Sequence, residues 1–289
     1  MKATNKIKRS IGYIVGFILF YAPFALFGKL LFFLLGDGKT HANIHEICFR
    51  KPIEHLLDGK FFQVFTGHYT HIGMVMSIST LILIVVAFLF GPIFCGWLCP
   101  AGAIPEYLSK LVSDKYKIEW GKHVPIIPIR YGFFLAFMLA PFFGVYLACG
   151  LCNYFVFDLF VNFVLVGRIV AFSSTLILTS ILWVIILGIF TKGGRGFCNF
   201  LCPVGALSNL SWMIGNKLKI AKILKINKDK CIHCNLCVRS CPMDAISVKN
   251  GVQKIELENC ILCNDCKEAC PVDAIEYIRN KGKKNEKSV

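Results

Sequence analysis

The residues in this chain that point most directly to chemistry are its cysteines. Among 289 residues there are 15 cysteines, and eight of them form two successive runs with the pattern C-x2-C-x2-C-x3-C-P. This spacing is typical of thiolates that hold [4Fe-4S] clusters, which accept and donate single electrons. The pattern therefore predicts two such clusters and one-electron transfer chemistry. The eight cysteines are Cys231, Cys234, Cys237, Cys241, Cys260, Cys263, Cys266 and Cys270.

The two runs are expected to exchange one ligand each. In two-cluster proteins with this motif, the fourth cysteine of one run binds the cluster of the other run. Zinc is the alternative metal for cysteine-rich segments, but the regular spacing and the C-P ends favour iron and sulfur. We predict that site I consists of Cys231, Cys234, Cys237 and Cys270. We predict that site II consists of Cys241, Cys260, Cys263 and Cys266.

The segments that follow the cysteine runs have the pattern of strands. Residues 244–248 and 273–277 are apolar and strand-like, and Asn250-Gly251 between them is a hairpin signal. So short a segment cannot bury a large core, so the clusters would contribute folding free energy. Residues 227–280 are therefore predicted to form a small α+β domain of the bacterial 2[4Fe-4S] ferredoxin type.

A second cysteine motif occurs twice, at an offset of 103 residues. Residues 94–103 read FCGWLCPAGA and residues 197–206 read FCNFLCPVGA, with seven of ten positions identical. Cysteines four residues apart share one helical face, and the proline that follows is expected to stop the helix. Two facing pairs would supply four thiolates, which predicts a third cluster; the alternative is that they are small buried packing residues. This thiol quartet consists of Cys95, Cys99, Cys198 and Cys202.

The composition suggests a membrane domain before the ferredoxin-like domain. The chain is 56% hydrophobic, and long apolar runs fill residues 11–190. Crossing a hydrocarbon core takes about 20 apolar residues. We therefore predict an all-α membrane domain over residues 1–204, with four transmembrane helices arranged as a pseudo-repeat of two hairpins. The predicted spans are residues 11–35, 72–94, 129–148 and 172–190.

The basic residues suggest an orientation for these spans. The net charge is +15, and lysine and arginine are concentrated at the N-terminus and after the second and fourth runs, as expected for cytoplasmic segments. This pattern favours a lipid membrane over nucleic acid as the partner of the positive charge. We predict an interfacial amphipathic linker at residues 205–226 and a basic tail at residues 281–289. The predicted location is a bacterial or archaeal plasma (inner) membrane, multi-pass, with the ferredoxin domain and both termini in the cytoplasm.

Two smaller groups of residues have chemistry with several interpretations. Cys149 and Cys152 could form a redox-active dithiol pair, a disulfide or half of a cluster site. His68 and His71, three residues apart, could bind a quinone headgroup or a metal such as haem iron or copper. The alternative for these histidines is that they are loop residues that meet water.

These motifs together resemble the membrane polyferredoxins of the NapH type, a quinol dehydrogenase component of periplasmic nitrate reduction. Proteins of the NosR and CcoG types have similar parts. The resemblance is carried by the two C-x3-C-P motifs and the two ferredoxin motifs, whereas no flavin-attachment domain of the NosR type is evident. It implies electron transport in anaerobic respiration, with quinone and the redox partner proteins of a respiratory reductase as partners.

The function predicted at this stage is that of an integral membrane iron–sulfur protein. It would transfer electrons between the quinone pool or a cytoplasmic donor and a partner reductase. Whether it is itself an enzyme stays open, since it could be a carrier subunit or a quinol dehydrogenase component. The alternative is a copper reductase or assembly factor for a respiratory metalloenzyme.

Overall fold

The structure is a computed structural model that describes residues 3–21, 23–35, 70–143, 150–167, 174–249 and 251–279. The α-helices of these ranges are α1 (Ala3–Phe20), α2 (Leu26–Leu34), α3 (Thr70–Phe90), α4 (Pro100–Ser109), α5 (Trp120–His123), α6 (Ile126–Leu139), α7 (Asn153–Val166), α8 (Ser174–Ser180), α9 (Gly196–Phe200), α10 (Pro203–Lys217), α11 (Leu236–Ser240) and α12 (Asp265–Ala269). The π-helical and 3-10 segments are Phe94–Leu98, Asp114–Tyr116, Ala140–Phe143, Ile181–Ile189 and Lys192–Gly194. The strands are β1 (Lys222–Ile226), β2 (Ile246–Lys249), β3 (Val252–Ile255) and β4 (Ile275–Arg279).

The prediction of four transmembrane helices is wrong. Across the described ranges, no helix combines the length and the apolar composition that crossing a membrane requires. The predicted location, a multi-pass protein of a bacterial or archaeal plasma membrane with cytoplasmic termini, is wrong for the same reason.

Breaks in the apolar runs give the physical reason for this correction. The first run divides into α1 and α2 around Ala25, which has a left-handed backbone (φ 42). The third run gives only the 14-residue helix α6 before a tighter 3-10 turn. The fourth run passes from the seven-residue helix α8 into a π-helical segment. The second run coincides with α3, which packs along α10.

Two hydrophobic cores meet beside the C-x3-C-P motifs. One core packs α1, α7 and the fourth apolar run together around Tyr21, Phe157 and Trp183, and it includes Cys99 and Cys202. The other core lies inside the C-terminal part of the chain. Cys95 and Trp212 belong to that second core, so the helical part and the C-terminal part form one packed body.

The C-terminal part confirms the prediction of a small ferredoxin-like domain with helices and strands. Strand β1 pairs antiparallel with β4, from Lys222 opposite Arg279 to Ile226 opposite Ile275. Strands β2 and β3 form an antiparallel hairpin. Residues 205–226, predicted as a linker, contain the rest of α10 and all of β1.

The two halves of this domain repeat their backbone conformation. Asn235 and Asn264 precede α11 and α12 with left-handed φ values of 57 and 64. Asp244 and Asp273 follow the two C-P turns, each with φ 47. Asparagine and aspartate tolerate this region better than most residues. Each half therefore wraps its cysteines in the same tight loop.

Candidate iron–sulfur centres

The structure brings the four thiols of site I to one cavity. The atoms around this cavity leave about 320 Å³ of space. Its wall also includes Gln253, whose amide oxygen accepts a hydrogen bond from Cys231 Sγ (3.5 Å) and lies 3.0 Å from His233 Nδ1. The cysteines that line the cavity are Cys231, Cys234, Cys237 and Cys270.

The four thiols of site II line a second cavity. Its cysteines are more deeply buried than those of site I, and burial raises the pKa of Cys241 to about 12 and that of Cys260 to about 11. The cysteines that line it are Cys241, Cys260, Cys263 and Cys266. In each cavity, three cysteines of one run therefore meet the last cysteine of the other run, as the crossed ligand pattern requires.

The C-P turns aim backbone donors at the crossing cysteines. The backbone N–H of Ala245 donates to Cys241 Sγ, and that of Ala274 donates to Cys270 Sγ, both at 3.3 Å. Hydrogen bonds of this kind favour the thiolate over the thiol and raise the reduction potential of a cluster held there. The same turn therefore places the sulfur and stabilises its charge.

The two C-x3-C-P motifs fold in the same way at the quartet. Cys99 and Cys202 have extended backbones and cap the N-termini of α4 and α10. Their sulfurs accept hydrogen bonds from the backbone N–H groups of Gly102 (3.3 Å) and Gly205 (3.5 Å). Each proline stands at the first turn of the helix that follows, a favoured position for proline. The proline was expected to stop a helix, and it also begins the next one.

Three quartet cysteines, Cys95, Cys99 and Cys202, are buried between the two cores, and Cys198 is half-buried beside them. Burial, with the charge of neighbouring quartet thiols, raises the pKa of Cys95 to about 12 and that of Cys198 to about 11. Burial likewise raises the pKa of Cys99 and that of Cys202. The thiols are thus close enough to affect one another's ionisation. Four such groups can become thiolates together only if positive charge lies nearby.

Two buried arginines supply positive charge to the quartet. Arg130 and Arg195 are each only 1% exposed, and both lower the pKa of Cys95 and of Cys198 against the effect of burial. Arg195 donates to the backbone oxygen of Cys95 (2.9 Å) and forms an ion pair with Glu106 (2.6 Å). These arginines were not predicted as site residues, because nothing in the local sequence indicates their distance from the cysteines.

Arg130 provides a test of whether a cluster fits the quartet. Among the described residues, its guanidinium donates to two amide oxygens, those of Asn209 (2.7 Å) and Asn259 (3.2 Å). Its Nε has no partner, and it forms no salt bridge with a described carboxylate. A buried charge without a counter-charge is strongly destabilising. Four thiolates around iron would provide that counter-charge, so the donor set and its surroundings fit an iron–sulfur cluster.

A tyrosine also contacts the quartet. The hydroxyl of Tyr154 lies 3.2 Å from Cys99 Sγ. Nearby, Tyr21 is fully buried, and its hydroxyl has no hydrogen-bond partner among the described residues. Both tyrosines lie in apolar sequence runs, where an aromatic residue ordinarily indicates core packing, so no local pattern singles them out.

The other predicted site residues lie at or beyond the limits of the described chain. Cys149 and His68 lie outside the described residues. Cys152 is half-buried and stands at the N-terminal cap of α7. His71 belongs to the first turn of α3. The redox pair and the quinone or metal site stay predictions.

Comparison with known proteins agrees with this arrangement. A model described as "4Fe-4S binding domain" matches residues 72–119 and again residues 175–221. The two matches begin 103 residues apart, the same offset as the C-x3-C-P repeat, and each contains one copy of that motif. A model described as "4Fe-4S dicluster domain" matches residues 221–279. No solved structure shows significant similarity to the chain.

Three curated relatives share the central and C-terminal motifs to different extents. Protein MJ0749 of Methanocaldococcus jannaschii is 29% identical over 172 residues, 57% of this chain and 57% of that protein. The putative electron transport protein YccM of Escherichia coli is 26% identical over 199 residues, 66% of this chain and 52% of YccM. The regulatory protein NosR of Pseudomonas aeruginosa is 27% identical over 160 residues, 53% of this chain and 20% of NosR.

The chain thus spans about half the length of the first two relatives and a fifth of NosR. Two kinds of 4Fe-4S domain match it. It is an iron–sulfur protein with ferredoxin-type 4Fe-4S domains, related to YccM and NosR.

Proposed function

We propose that this protein is an electron carrier that holds three [4Fe-4S] clusters, at site I, at site II and at the thiol quartet. The observation that carries the proposal is the grouping of twelve cysteines into three sets of four, each with hydrogen-bond donors or cations aimed at its sulfurs. When bound, such clusters supply reversible one-electron chemistry. The name of the relative YccM, a putative electron transport protein, supports the same function.

The protein's own residues have three tasks in this function. The cysteines hold the iron, and the N-termini of α4 and α10, with their N–H groups and positive dipole ends, favour negative charge at Cys99 and Cys202. Arg130 and Arg195 balance the charge of the quartet. The apolar core around the quartet keeps water away, which sets the potential of a centre held there.

The finer assignment concerns the partners. The resemblance to the NapH type supports a quinol as electron donor and a redox partner protein of a respiratory reductase as acceptor. His68 and His71 are proposed as the quinone or metal site, and Cys149 with Cys152 as a redox pair. Reduction of the anaerobically purified protein by a menaquinol analogue, and its loss in the variant His68→Ala with His71→Ala, tests this assignment.

The number of clusters is tested by analysis of iron and acid-labile sulfide. Protein purified without oxygen should contain about twelve iron atoms per chain, since each cluster has about four. The double variant Cys95→Ser with Cys198→Ser should retain about eight. Cys48→Ser changes a cysteine outside the three sets and is the matched control, with the full iron content expected. About eight irons in the wild type, unchanged in the double variant, would refute the quartet as a cluster site.

A further inference from the structure

We propose that the three centres form a linear relay, in which the thiol quartet exchanges electrons directly with site II and site I is the solvent-facing end. This inference rests on the proposed function, and it adds the order of the centres and the contact between two of them. Clusters held at these centres would pass one electron at a time from a reduced centre to the next oxidised one, and no covalent bond would form or break. The electrons would come from the quinol of the proposed function, which releases its two electrons in successive steps and its two protons to water.

The backbones of the quartet and of site II touch. Gly96 follows Cys95 of the quartet, and Ile261 follows Cys260 of site II. A Cβ atom on Gly96 would overlap the backbone oxygen of Ile261, so the two peptides are in van der Waals contact only because residue 96 is a glycine. The peptide next to one quartet sulfur therefore packs on the peptide next to one site II sulfur.

Hydrogen bonds fix this contact from one side. The indole Nε1 of Trp97 donates to the backbone oxygen of Leu262 (2.9 Å). The backbone N–H of Leu262 in turn donates to Cys260 Sγ (3.5 Å). A short path of bonded atoms and hydrogen bonds thus runs from Cys95 to a site II sulfur.

The buried arginine Arg130 forms a second bridge between the two centres. It lies beside the quartet, and its Nη2 donates to Asn209 Oδ1 (2.7 Å). The amide nitrogen of Asn209 then donates to the backbone oxygen of Cys260 (2.8 Å). A residue that balances the quartet charge is therefore two hydrogen bonds away from site II.

Helix α1 forms a third bridge between the quartet and site II. Arg9 pairs with Asp265, next to Cys266, at 2.5 Å and with Glu106 at 2.8 Å. Glu106 also binds Arg195, which donates to the backbone oxygen of Cys95. All four charged groups of this bridge are buried. A buried network of ion pairs thus connects the ferredoxin-like domain to the quartet, which favours a fixed position of this domain over a mobile one.

Site I lies at the other end of the order. Helix α11, which carries Cys237 of site I, packs against helix α12, which carries Cys266 of site II. At the same time Cys234 is exposed, and Ile232, which follows Cys231, is 59% exposed. Site I is thus near site II and open to solvent, whereas the quartet is enclosed. An external one-electron carrier therefore reaches site I most easily.

Electron paramagnetic resonance of the reduced protein tests the order. In wild type, clusters at the quartet and site II are expected to show spin–spin splitting of their signals. Gly96→Ala forces the two backbones apart and should reduce the splitting assigned to this pair while all three signals remain, because the coupling between two spins falls with the cube of their distance. Gly132→Ala is the matched control, because a Cβ atom there meets nothing within 4 Å. Trp97→Phe is the milder second variant. It removes the hydrogen bond to the Leu262 backbone oxygen, keeps an aromatic ring and should weaken the splitting.

The outcomes separate this inference from the proposed function. Two results would overturn the relay order but not the proposed function as an electron carrier. One is three clusters with no splitting between the quartet and site II. The other is a splitting that is unchanged in both Gly96→Ala and Trp97→Phe. A wild type without a quartet cluster would overturn both. Hydrogen exchange of the amides at Ile261 and Leu262, faster in Gly96→Ala than in Gly132→Ala, would support the contact independently of any electron transfer.

Discussion

Arg130→Gln is expected to lower the reduction potential of the centre held by the quartet. The substitution keeps a hydrogen-bonding amide near Asn209 and removes the positive charge. A Cβ atom at Gly205 would lie 2.9 Å from Arg130 Nη2 and 3.8 Å from Cys202 Sγ, so the cation and the sulfur flank one residue. An added electron at the quartet is therefore stabilised by a cation close by.

The size of the decrease in potential depends on how far the Arg130 guanidinium lies from the added electron and on how deeply Arg130 is buried. Two unit charges about 8 Å apart interact by about 2 kcal/mol at the effective dielectric constant of about 20 that suits protein sites. For a one-electron couple this corresponds to a decrease of about 90 mV. Arg130 is 1% exposed, so screening by solvent and salt is small.

Redox titration followed by electron paramagnetic resonance measures this shift. The exposed residue Arg239 is the matched control, and Arg239→Gln should leave the quartet potential nearly unchanged, because an exposed charge is screened by water and salt. A quartet signal whose potential stays within experimental error in Arg130→Gln, with full iron content, would refute the charge-balancing role.

Three further predictions concern the surroundings of the quartet. Tyr154→Phe removes a hydroxyl 3.2 Å from Cys99 Sγ and should also lower the reduction potential of the quartet. The decrease should be smaller than in Arg130→Gln, because no full charge is lost. An unchanged potential would mean that the hydroxyl does not donate to the sulfur. Glu106→Gln should lower the free energy of unfolding by about 3–5 kcal/mol, since it leaves the buried Arg195 without its carboxylate and Arg9 with Asp265 alone. Denaturant titration against the exposed-pair control Glu276→Gln measures the loss. Burial opposes the charge of Glu106, but Arg195 and Arg9 outweigh burial and lower the pKa of Glu106 to about 2. The stabilisation from this carboxylate is therefore complete above pH 4.5 and is lost as the pH falls toward 2. A free energy of unfolding that does not change over this pH range in wild type would contradict the network.

The grouping of the ferredoxin-like cysteines could be predicted because it follows from local spacing, whereas their role as ligands stays a prediction. The spacing within one run predicts three ligands, and the crossing rule for this motif predicts the fourth. The structure gathers the crossed sets around two cavities, with Cys270 in site I and Cys241 in site II. The quartet was predictable for a different reason, since a repeated motif implies that its two copies meet.

The helical part was predicted less well, because hydropathy does not detect breaks in a helix. The left-handed residue Ala25 and the π-helical turns around Cys95 and Trp183 lie inside uniformly apolar runs. Nothing in those runs distinguishes a continuous helix from two shorter ones that pack into a core. One break nonetheless shapes the site, because the π-helical turn Phe94–Leu98 positions Cys95 and Cys99 within the quartet.

The charged network around the quartet could not be read from the sequence at all. Arg9, Glu106 and Arg195 are far apart along the chain and meet only in the folded protein. Arg9 belongs to the basic N-terminus that predicted a cytoplasmic segment, although it is buried and pairs with Glu106 and Asp265. Long-range pairs of this kind depend on packing, which local patterns do not encode.

The most direct test of the account is the Mössbauer spectrum of the protein labelled with an iron isotope and purified without oxygen. We predict that all of the iron is in [4Fe-4S] clusters and that about a third of the signal is lost in the variant Cys95→Ser with Cys198→Ser, as expected for one of three equal centres. A spectrum of mononuclear iron, or a cluster signal that does not change in the variant, would contradict the assignment of the quartet.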